Sequence, residues 1–210
     1  ANWFSLDPPR TSPVGGNDPA ESWARYALDA PVMFVSEGGD RLVAQATPLT
    51  FAQWIARGHA VGYPDMADVA LHLTTLFPPV RPRGWLELRM IDMLPLEWAR
   101  AAVAVAHTVL TDREVREAVM SRTRTAAVTW RDAYLFGSAH PEIASAANIC
   151  FEMALSSLEA TDATDRTLGA VAEYAERFVR RRRTPADDSL EAWVKGRDPF
   201  APDGREAAWT

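Results

Sequence analysis

The sequence predicts an α+β fold, with strands in the first part of the chain and helices after them. Short apolar runs separated by turn residues lie before residue 92, whereas long Ala-rich and Leu-rich stretches with helical spacing lie after residue 95. Hydrophobic residues make up 48% of the chain and charged residues 24%, as in ordinary folded domains. With 210 residues, the chain is long enough to bury a substantial core. We therefore expect one folded α+β domain.

Residues 1–22 are predicted to form an extended entry segment, because prolines fix φ and remove hydrogen-bond donors there. The next apolar run, 31–35, has the length of a strand. A Gly-Gly turn at 38–39 separates it from a second short apolar run at 42–44. This pattern predicts a β-hairpin over 31–46.

Two short helices are predicted between this hairpin and residue 80. Over 50–57 the apolar residues recur at helical spacing, and Gly58 follows in a stop position. The second helix is predicted over 65–73. It ends before Pro78 and Pro79, because a residue that precedes proline is pushed out of the α region.

Residues 84–92 alternate with period two and predict a strand with two different faces. The face that we expect to pack against helices carries Leu86, Leu88 and Met90. The opposite face carries Glu87 and Arg89, about 7 Å apart along the strand. These two side chains fit either a solvated surface ion pair or the floor of a site in which the carboxylate holds Mg²⁺ and the guanidinium holds phosphate.

Beyond Pro95 the pattern predicts helices only. They cover 98–110, 125–136, 141–159 and 165–183, and a shorter helix ends at Gly196. A capping box formed by Thr111 and Glu114 opens a further helix. The four arginines at 180–183 are then cations at a helix C-terminus, and residues 197–210 are predicted to be a loose tail.

The charge balance and the cysteine count limit the classes of partner and compartment. Acidic residues outnumber basic residues by 28 to 22, which gives a net charge of −6 and a pI near 5.3. Proteins that bind nucleic acid or anionic membranes without specificity carry clustered cations, so we expect no nucleic-acid and no membrane partner. Cys150 is the only cysteine, which excludes an internal disulfide and favours a reducing, cytoplasmic location.

The segment 72–83 is unusual for a connector, because it brings a histidine, two hydroxyls and two cations close together. His72 lies among leucines and fits a hydrogen-bonded core residue better than a ligand. Prolines stiffen the segment, and stiff polar loops are suited to holding substrates. The sequence contains no glycine-rich phosphate loop and no CxxC, GxSxG or HExxH motif, which leaves nucleophilic and zinc chemistry without support.

Three blocks, in this order along the chain, closely resemble the signature of glutamate–cysteine ligases of the plant and actinobacterial type. They are 25–35 (RYALDAPVMFV), 50–55 (TFAQWI) and 72–92 (HLTTLFPPVRPRGWLELRMID). The resemblance implies a glutamine-synthetase-like antiparallel sheet, formed by hairpin 31–46 and strand 84–92 and covered by the C-terminal helices. It implies that 1–210 is the C-terminal half of a single catalytic domain, whose missing N-terminal half is its partner.

The resemblance implies a ligase with ATP and Mg²⁺ as cofactors, and in the actinobacterial branch a place in ergothioneine biosynthesis. ATP would phosphorylate the γ-carboxylate of glutamate, and the amine of cysteine would attack the acyl phosphate. Glu87 is then a Mg²⁺ ligand, Arg89 contacts the ATP phosphates or the acyl phosphate, and both are candidate catalytic residues. The residues expected to line the nucleotide or amino-acid pocket are Thr74, Thr75, Arg81, Arg83, Tyr26 and Arg10.

Two departures from the family pattern keep alternatives open. Trp85 stands where His or Tyr is more usual, and Met93 and Leu94 stand where plant enzymes carry glycines. These differences allow a carboxylate–amine ligase that uses another amine. Further acidic ligands and glutamate-binding residues would lie in the missing half, so we expect this chain alone to be incompetent. A non-catalytic helical interaction or regulatory domain is the remaining alternative.

Overall fold

A computed structural model describes residues 7–38, 41–124, 130–161 and 163–200. The chain divides into two compact units, Ala1–Asp92 and Met93–Thr210. Both helices and antiparallel strands are present, so the predicted α+β class is confirmed, whereas the likeness to glutamine synthetase stays a prediction. Within the described ranges, no helix is long and apolar enough to cross a lipid bilayer.

The first unit contains short helices and two β-hairpins. Its elements are α1 (Pro8–Thr11), α2 (Pro19–Asp29), β1 (Phe34–Ser36), β2 (Leu42–Ala44), α3 (Phe51–Arg57), α4 (Met66–Thr74), β3 (Val80–Pro82) and β4 (Leu86–Leu88). The predicted helices over 50–57 and 65–73 are confirmed. Thr50 and Gln53 form a capping box at the start of α3, and Asp65 with Asp68 forms one at the start of α4.

The entry segment 1–22 is not simply extended, although its first six residues lie outside the described ranges. It contains α1 and the first turn of α2. The Asp18 carboxylate accepts hydrogen bonds from the first free N–H groups of α2, and Pro19 occupies the first helical turn. The first N–H groups of a helix have no partner within the helix, so a proline there removes no helical hydrogen bond. A proline-rich stretch can therefore begin a helix.

The strands of this unit form two separate two-stranded antiparallel sheets, so the prediction that hairpin 31–46 and strand 84–92 share one sheet is wrong for the described residues. Strand β1 pairs with β2, with Val35 opposite Val43, which confirms the predicted hairpin over 31–46. Strand β3 pairs with β4, with Arg81 opposite Glu87. The strand predicted over 84–92 is therefore real but shorter, since only Leu86–Leu88 pair regularly with β3.

The core of the first unit lies between the β1–β2 hairpin and the helices α3 and α4. Val32, Val35, Phe51 and Trp54 are buried together. The indole N–H of Trp54 donates to the carbonyl oxygen of Gly62 at 2.9 Å, so this large buried ring leaves no polar atom unpaired.

The expectation that Leu86 and Met90 pack inward against helices is wrong, while Leu88 on the same face is half-buried. Leu86 is 62% exposed and Met90 is 50% exposed. The polar face of the hairpin is turned inward instead, as the 5% exposure of Arg81 shows. An ion pair and backbone acceptors hold this arginine in place, and they determine which face is buried.

The described residues of the second unit form helices joined by turns, and none of them lies in a strand. Its elements are α5 (Leu96–Thr111), α6 (Arg113–Thr123), α7 (Trp130–Phe136), a 3₁₀ turn (Gly137–Ala139), α8 (Pro141–Ala160), α9 (Asp165–Tyr174), a π-helical turn (Ala175–Val179) and α10 (Pro185–Val194). Helices α5, α8 and α9 share a core that includes Ala101, Val105, Ala154 and Val171. Cys150 is half-buried beside this core, and burial raises the pKa of its thiol.

Three predictions for this region need correction or fall partly outside the described residues. The N-cap of α6 is Asp112 rather than Thr111, whose hydroxyl donates to the carbonyl of His107. The helix predicted over 165–183 changes to a π-helical turn at Ala175–Val179 and ends there. Residues 125–129 and 201–210, which belong to the predicted helix over 125–136 and to the predicted loose tail, lie outside the described ranges.

Candidate functional site

The β3–β4 hairpin aligns the charged residues of the candidate site. Arg81 and Glu87 are directly opposite each other in the ladder, and Arg89 follows Glu87 by two residues, so all three share one face. The backbone N–H of Arg89 donates to the carbonyl of Pro79 at 2.8 Å, which continues the pairing beyond β4. The turn between the strands contains Gly84 with φ +81°, a conformation that favours glycine.

Glu87 lies between two guanidinium groups and bonds to both. Its Oε2 atom is 2.8 Å from Nε and 2.7 Å from Nη2 of Arg81. Its Oε1 atom accepts a hydrogen bond from Nη1 of Arg89 at 2.8 Å. The hydrogen bond from Arg81, together with that from Arg89, holds the pKa of Glu87 below its usual value even though partial burial opposes this shift. The three side chains carry a net charge of +1.

Arg81 is also tied to the backbone of the preceding loop. Its Nη1 donates to the carbonyl of Leu76 at 2.9 Å and lies 3.5 Å from that of Thr74. Its side chain is 7% exposed, whereas that of Arg89 is 24% exposed. Arg81 therefore fixes the loop and Glu87 from inside, and Arg89 is the member of the group that a ligand reaches more readily.

Phe77 provides an aromatic surface for both arginines. The guanidinium carbon of Arg89 lies 5.2 Å from the centre of its ring, and that of Arg81 lies 5.8 Å from it. Both distances are in the range of cation–π contacts. The backbone N–H of Phe77 donates to the carbonyl of Arg10 at 2.8 Å, which brings helix α1 to the same place.

Arg10 and Tyr26, predicted to face an amino-acid substrate, are close neighbours. Arg10 forms an ion pair with Asp7. Burial raises the pKa of Tyr26 to about 12, while the charge of Arg10 opposes the shift and that of Asp7 adds to it. Nη1 of Arg10, Oη of Tyr26 and Nε of Arg89 are buried and have no hydrogen-bond partner among the described residues. Unpaired buried donors of this kind favour an acceptor-rich anion over a cation.

The remaining predicted pocket residues have other surroundings. The hydroxyl of Thr74 donates to the carbonyl of Leu71, and that of Thr75, which is buried, donates to the carbonyl of His72, so both are turned onto their own helix. Arg83 is exposed beside the hairpin turn. Within the part of the chain that the structure describes, none of the three side chains forms a hydrogen bond or ion pair with Glu87 or Arg89.

His72 is a core residue, as its position among leucines indicated. Its Nε2 atom is 2.8 Å from the carbonyl oxygen of Ala27, and its ring stacks on Phe51 with 4.7 Å between centres. Burial lowers the pKa of the imidazole, although the hydrogen bond to Ala27 opposes this shift. The ring therefore connects α2, α3 and α4 through its Nε2 atom and its stacking on Phe51, while its buried Nδ1 atom has no hydrogen-bond partner among the described residues.

The described residues do not form a complete Mg²⁺ site. A carboxylate is a suitable ligand for this ion, but both oxygens of Glu87 are engaged by arginines. No group of three or more His, Cys, Asp or Glu side chains in the described ranges is placed to hold a metal ion. Glu87 can be one ligand of such a site only if other groups supply the rest.

Two residues of this cluster were not anticipated from the sequence. Phe77 lies inside the block 72–92, but spacing alone gives no reason to separate it from ordinary core residues. Asp7, the partner of Arg10, begins the stretch 7–11, which also resembles the actinobacterial branch, but the sequence assigns no role to this carboxylate. Both are recognised only when the loop after α4 is seen to meet α1.

A sequence profile of the Glutamate-cysteine ligase family 2 (GCS2) matches residues 3–193. The glutamate–cysteine ligase EgtA of Mycolicibacterium smegmatis is 41% identical over 192 residues, which are 89% of this chain and 43% of that protein. The glutamate–cysteine ligase EgtA of Mycobacterium tuberculosis is 34% identical over 200 residues, 92% of this chain and 45% of that protein. The chloroplastic glutamate–cysteine ligase of Brassica juncea is 33% identical over 111 residues, 49% of this chain and 20% of that protein. The chain thus spans less than half the length of the curated relatives it matches.

Proposed function

Because this chain belongs to glutamate–cysteine ligase family 2, we propose that it is part of an ATP-dependent ligase that produces γ-glutamylcysteine. In the first step, a γ-carboxylate oxygen of glutamate attacks the terminal phosphorus of ATP and ADP leaves. In the second step, the amine of cysteine attacks the acyl carbon, phosphate leaves and the amine loses a proton. The observation that carries this proposal is the family match over 3–193, which includes the whole hairpin that holds Arg89.

Arg89 is proposed to bind the phosphate that moves from ATP to glutamate. Its guanidinium is partly exposed, and Glu87 and the Phe77 ring fix its position. Arginine presents a planar set of donors that fits phosphate oxygens. In phosphoryl transfer, catalysis rests mainly on positioning and on neutralising the charge of those oxygens. Glu87 and Arg81 would then act by holding Arg89 in place.

Arg10 and Tyr26 are proposed to lie at the edge of the amino-acid site, since each carries a buried polar atom without a partner among the described residues. Mg²⁺, when bound, would neutralise phosphate charge. Glu87 is proposed as one of its ligands, with the others supplied by the half of the protein outside this chain. The likeness to two EgtA ligases, together with the resemblance to the actinobacterial branch, favours a role in ergothioneine biosynthesis. The single cysteine of the chain favours a cytoplasmic location. Thr74, Thr75 and Arg83 would contribute only indirectly to nucleotide binding.

The proposal is tested with the product of the complete reading frame. ADP release is measured with Mg-ATP and glutamate, with and without cysteine, and with a panel of other amines. Release that requires glutamate and cysteine together establishes the ligase. Release with a different amine changes the acceptor but keeps the chemistry, and a folded protein that releases no ADP under any condition contradicts the proposal.

Arg89→Gln is expected to lower kcat/KM for ATP by about 10²–10³-fold, because it removes a fixed cation from the developing phosphate charge. Arg113→Gln is the matched control. Arg113 is 80% exposed, and the ion pair that it forms among the described residues is with Glu117 of its own helix, so its removal should leave the rate unchanged. Wild-type ADP release by Arg89→Gln would remove this residue from the reaction.

A further inference from the structure

The β3–β4 hairpin exposes the face that a sheet normally buries. Val80 is opposite Leu88, and Pro82 is opposite Leu86, so these side chains share one side of the hairpin. We refer to Val80, Leu86, Leu88 and Met90 as the apolar face. Val80, Leu86 and Met90 are 37%, 62% and 50% exposed. Because isolated sheets of this kind bury their apolar side against another layer, this face lacks the layer that it needs.

The charged side of the hairpin prevents the apolar face from turning inward. Arg81 is buried on that side and its Nη2 is 2.7 Å from Glu87. A shift of the pairing by one residue would move every side chain to the other face. That shift would break the Arg81–Glu87 pair and the hydrogen bond of Arg81 to the carbonyl of Leu76. The exposed position of the apolar face is therefore fixed by the same contacts that position Arg89.

The face carries no charged side chain, so it fits an apolar surface rather than a nucleic acid or an acidic peptide. A hairpin of two short strands is also marginally stable without further packing. The chain spans only 43% and 45% of the length of two related ligases, so more than half of such a protein lies outside it. The length outside the chain is ample for an additional packing layer.

We propose that the apolar face packs against an apolar surface in the part of the whole protein that lies outside residues 1–210. This inference rests on the proposed function only in so far as both require the longer protein. This contact stabilises the hairpin on its apolar face, and the buried Arg81 stabilises it on its charged face. A second copy of this chain, or another part of residues 1–210, would give a different experimental result.

Thiol labelling of the whole protein tests whether the face is covered. Leu86→Cys and Met90→Cys are made in a background without other cysteines, and Met66→Cys serves as the control because Met66 is 77% exposed. A maleimide is expected to label positions 86 and 90 at least about tenfold more slowly than position 66, since labelling there requires local opening. Equal labelling rates at the three positions would overturn the proposal.

A photo-crosslinking amino acid at position 86 of the whole protein identifies what covers the face. We expect a product of monomeric mass whose crosslinked peptide lies outside residues 1–210. A crosslink to a peptide within 1–210, or a product of twice the mass, overturns the proposal. Since neither labelling nor crosslinking depends on turnover, a failure here is distinct from a failure to release ADP.

Discussion

Replacing the buried arginine of the hairpin by a neutral side chain of similar length tests the structural argument most directly. Arg81→Met keeps much of the apolar volume but removes the hydrogen bond to the carbonyl of Leu76, the contact with that of Thr74 and both contacts with Glu87. Removing a hydrogen bond from a charged donor to a buried acceptor lowers the free energy of unfolding by about 1.5–3 kcal/mol. We count one such bond, to the Leu76 carbonyl, because the longer contact with the Thr74 carbonyl adds little.

We therefore expect Arg81→Met to reduce the free energy of unfolding of the whole protein by about 1.5–3 kcal/mol, measured by urea denaturation with tryptophan fluorescence. Arg83→Met, in the same hairpin but exposed, is the matched control and should change stability by less than about 0.5 kcal/mol. If both variants have the stability of the wild type and Arg81→Met nevertheless loses turnover, Arg81 acts on substrate and the structural role assigned to it is wrong.

Three further predictions concern the surroundings of the site. Phe77→Leu removes the aromatic ring beneath Arg89 and should lower kcat/KM for ATP by about two- to thirtyfold, the equivalent of a cation–π contact. Phe77→Tyr keeps an aromatic ring and should retain the wild-type rate. Equal rates for the two variants would exclude this role. Gly84→Ala should destabilise the protein by about 1–2 kcal/mol through its positive φ alone, since nothing lies within 4 Å of the added Cβ; Gly169→Ala, in a helix and equally uncrowded, should be neutral or stabilising in the same thermal unfolding assay. Because burial lowers the pKa of His72 in the folded protein, the unfolded chain binds more protons, so stability should fall as the pH drops below 6.5. His72→Gln should flatten this part of the pH–stability curve. An unchanged slope would contradict the lowered pKa of His72.

Local features of the fold could be predicted because short-range chemistry determines them. Helix α3 begins after Thr50, whose hydroxyl oxygen accepts a hydrogen bond from the backbone N–H of Gln53. It ends before Gly58, which adopts φ +72°, a conformation that favours glycine. The hairpin over 31–46 follows from two apolar runs and a glycine turn. At α6, two capping residues stand side by side, and the stronger acceptor, Asp112, takes the place expected of Thr111. Such competition between neighbours is difficult to resolve from sequence alone.

The candidate site could be predicted only in part, because it depends on contacts between residues distant in the chain. The alternation along the strand predicted that Glu87 and Arg89 share one face, and in the structure Arg89 donates a hydrogen bond to Glu87. The alternation did not indicate that this face would be the buried one. The same alternation normally buries leucines, and Leu86 departs from that pattern because Arg81 occupies the inner side. The contribution of Phe77 required knowledge of the loop that follows α4.

The π-helical turn at Ala175–Val179 has an evolutionary consequence. Such a turn contains one more residue than the α-helical turn it replaces, and each extra residue rotates the chain that follows by about 100°. Beyond it the chain turns through Arg182, whose φ is +55°, to Arg183, which pairs with Asp188 and Glu191 of α10. A relative that lacks one residue in this stretch would present the following arginines on another side. In such relatives, substitutions at the positions of Asp188 and Glu191 should accompany the deletion.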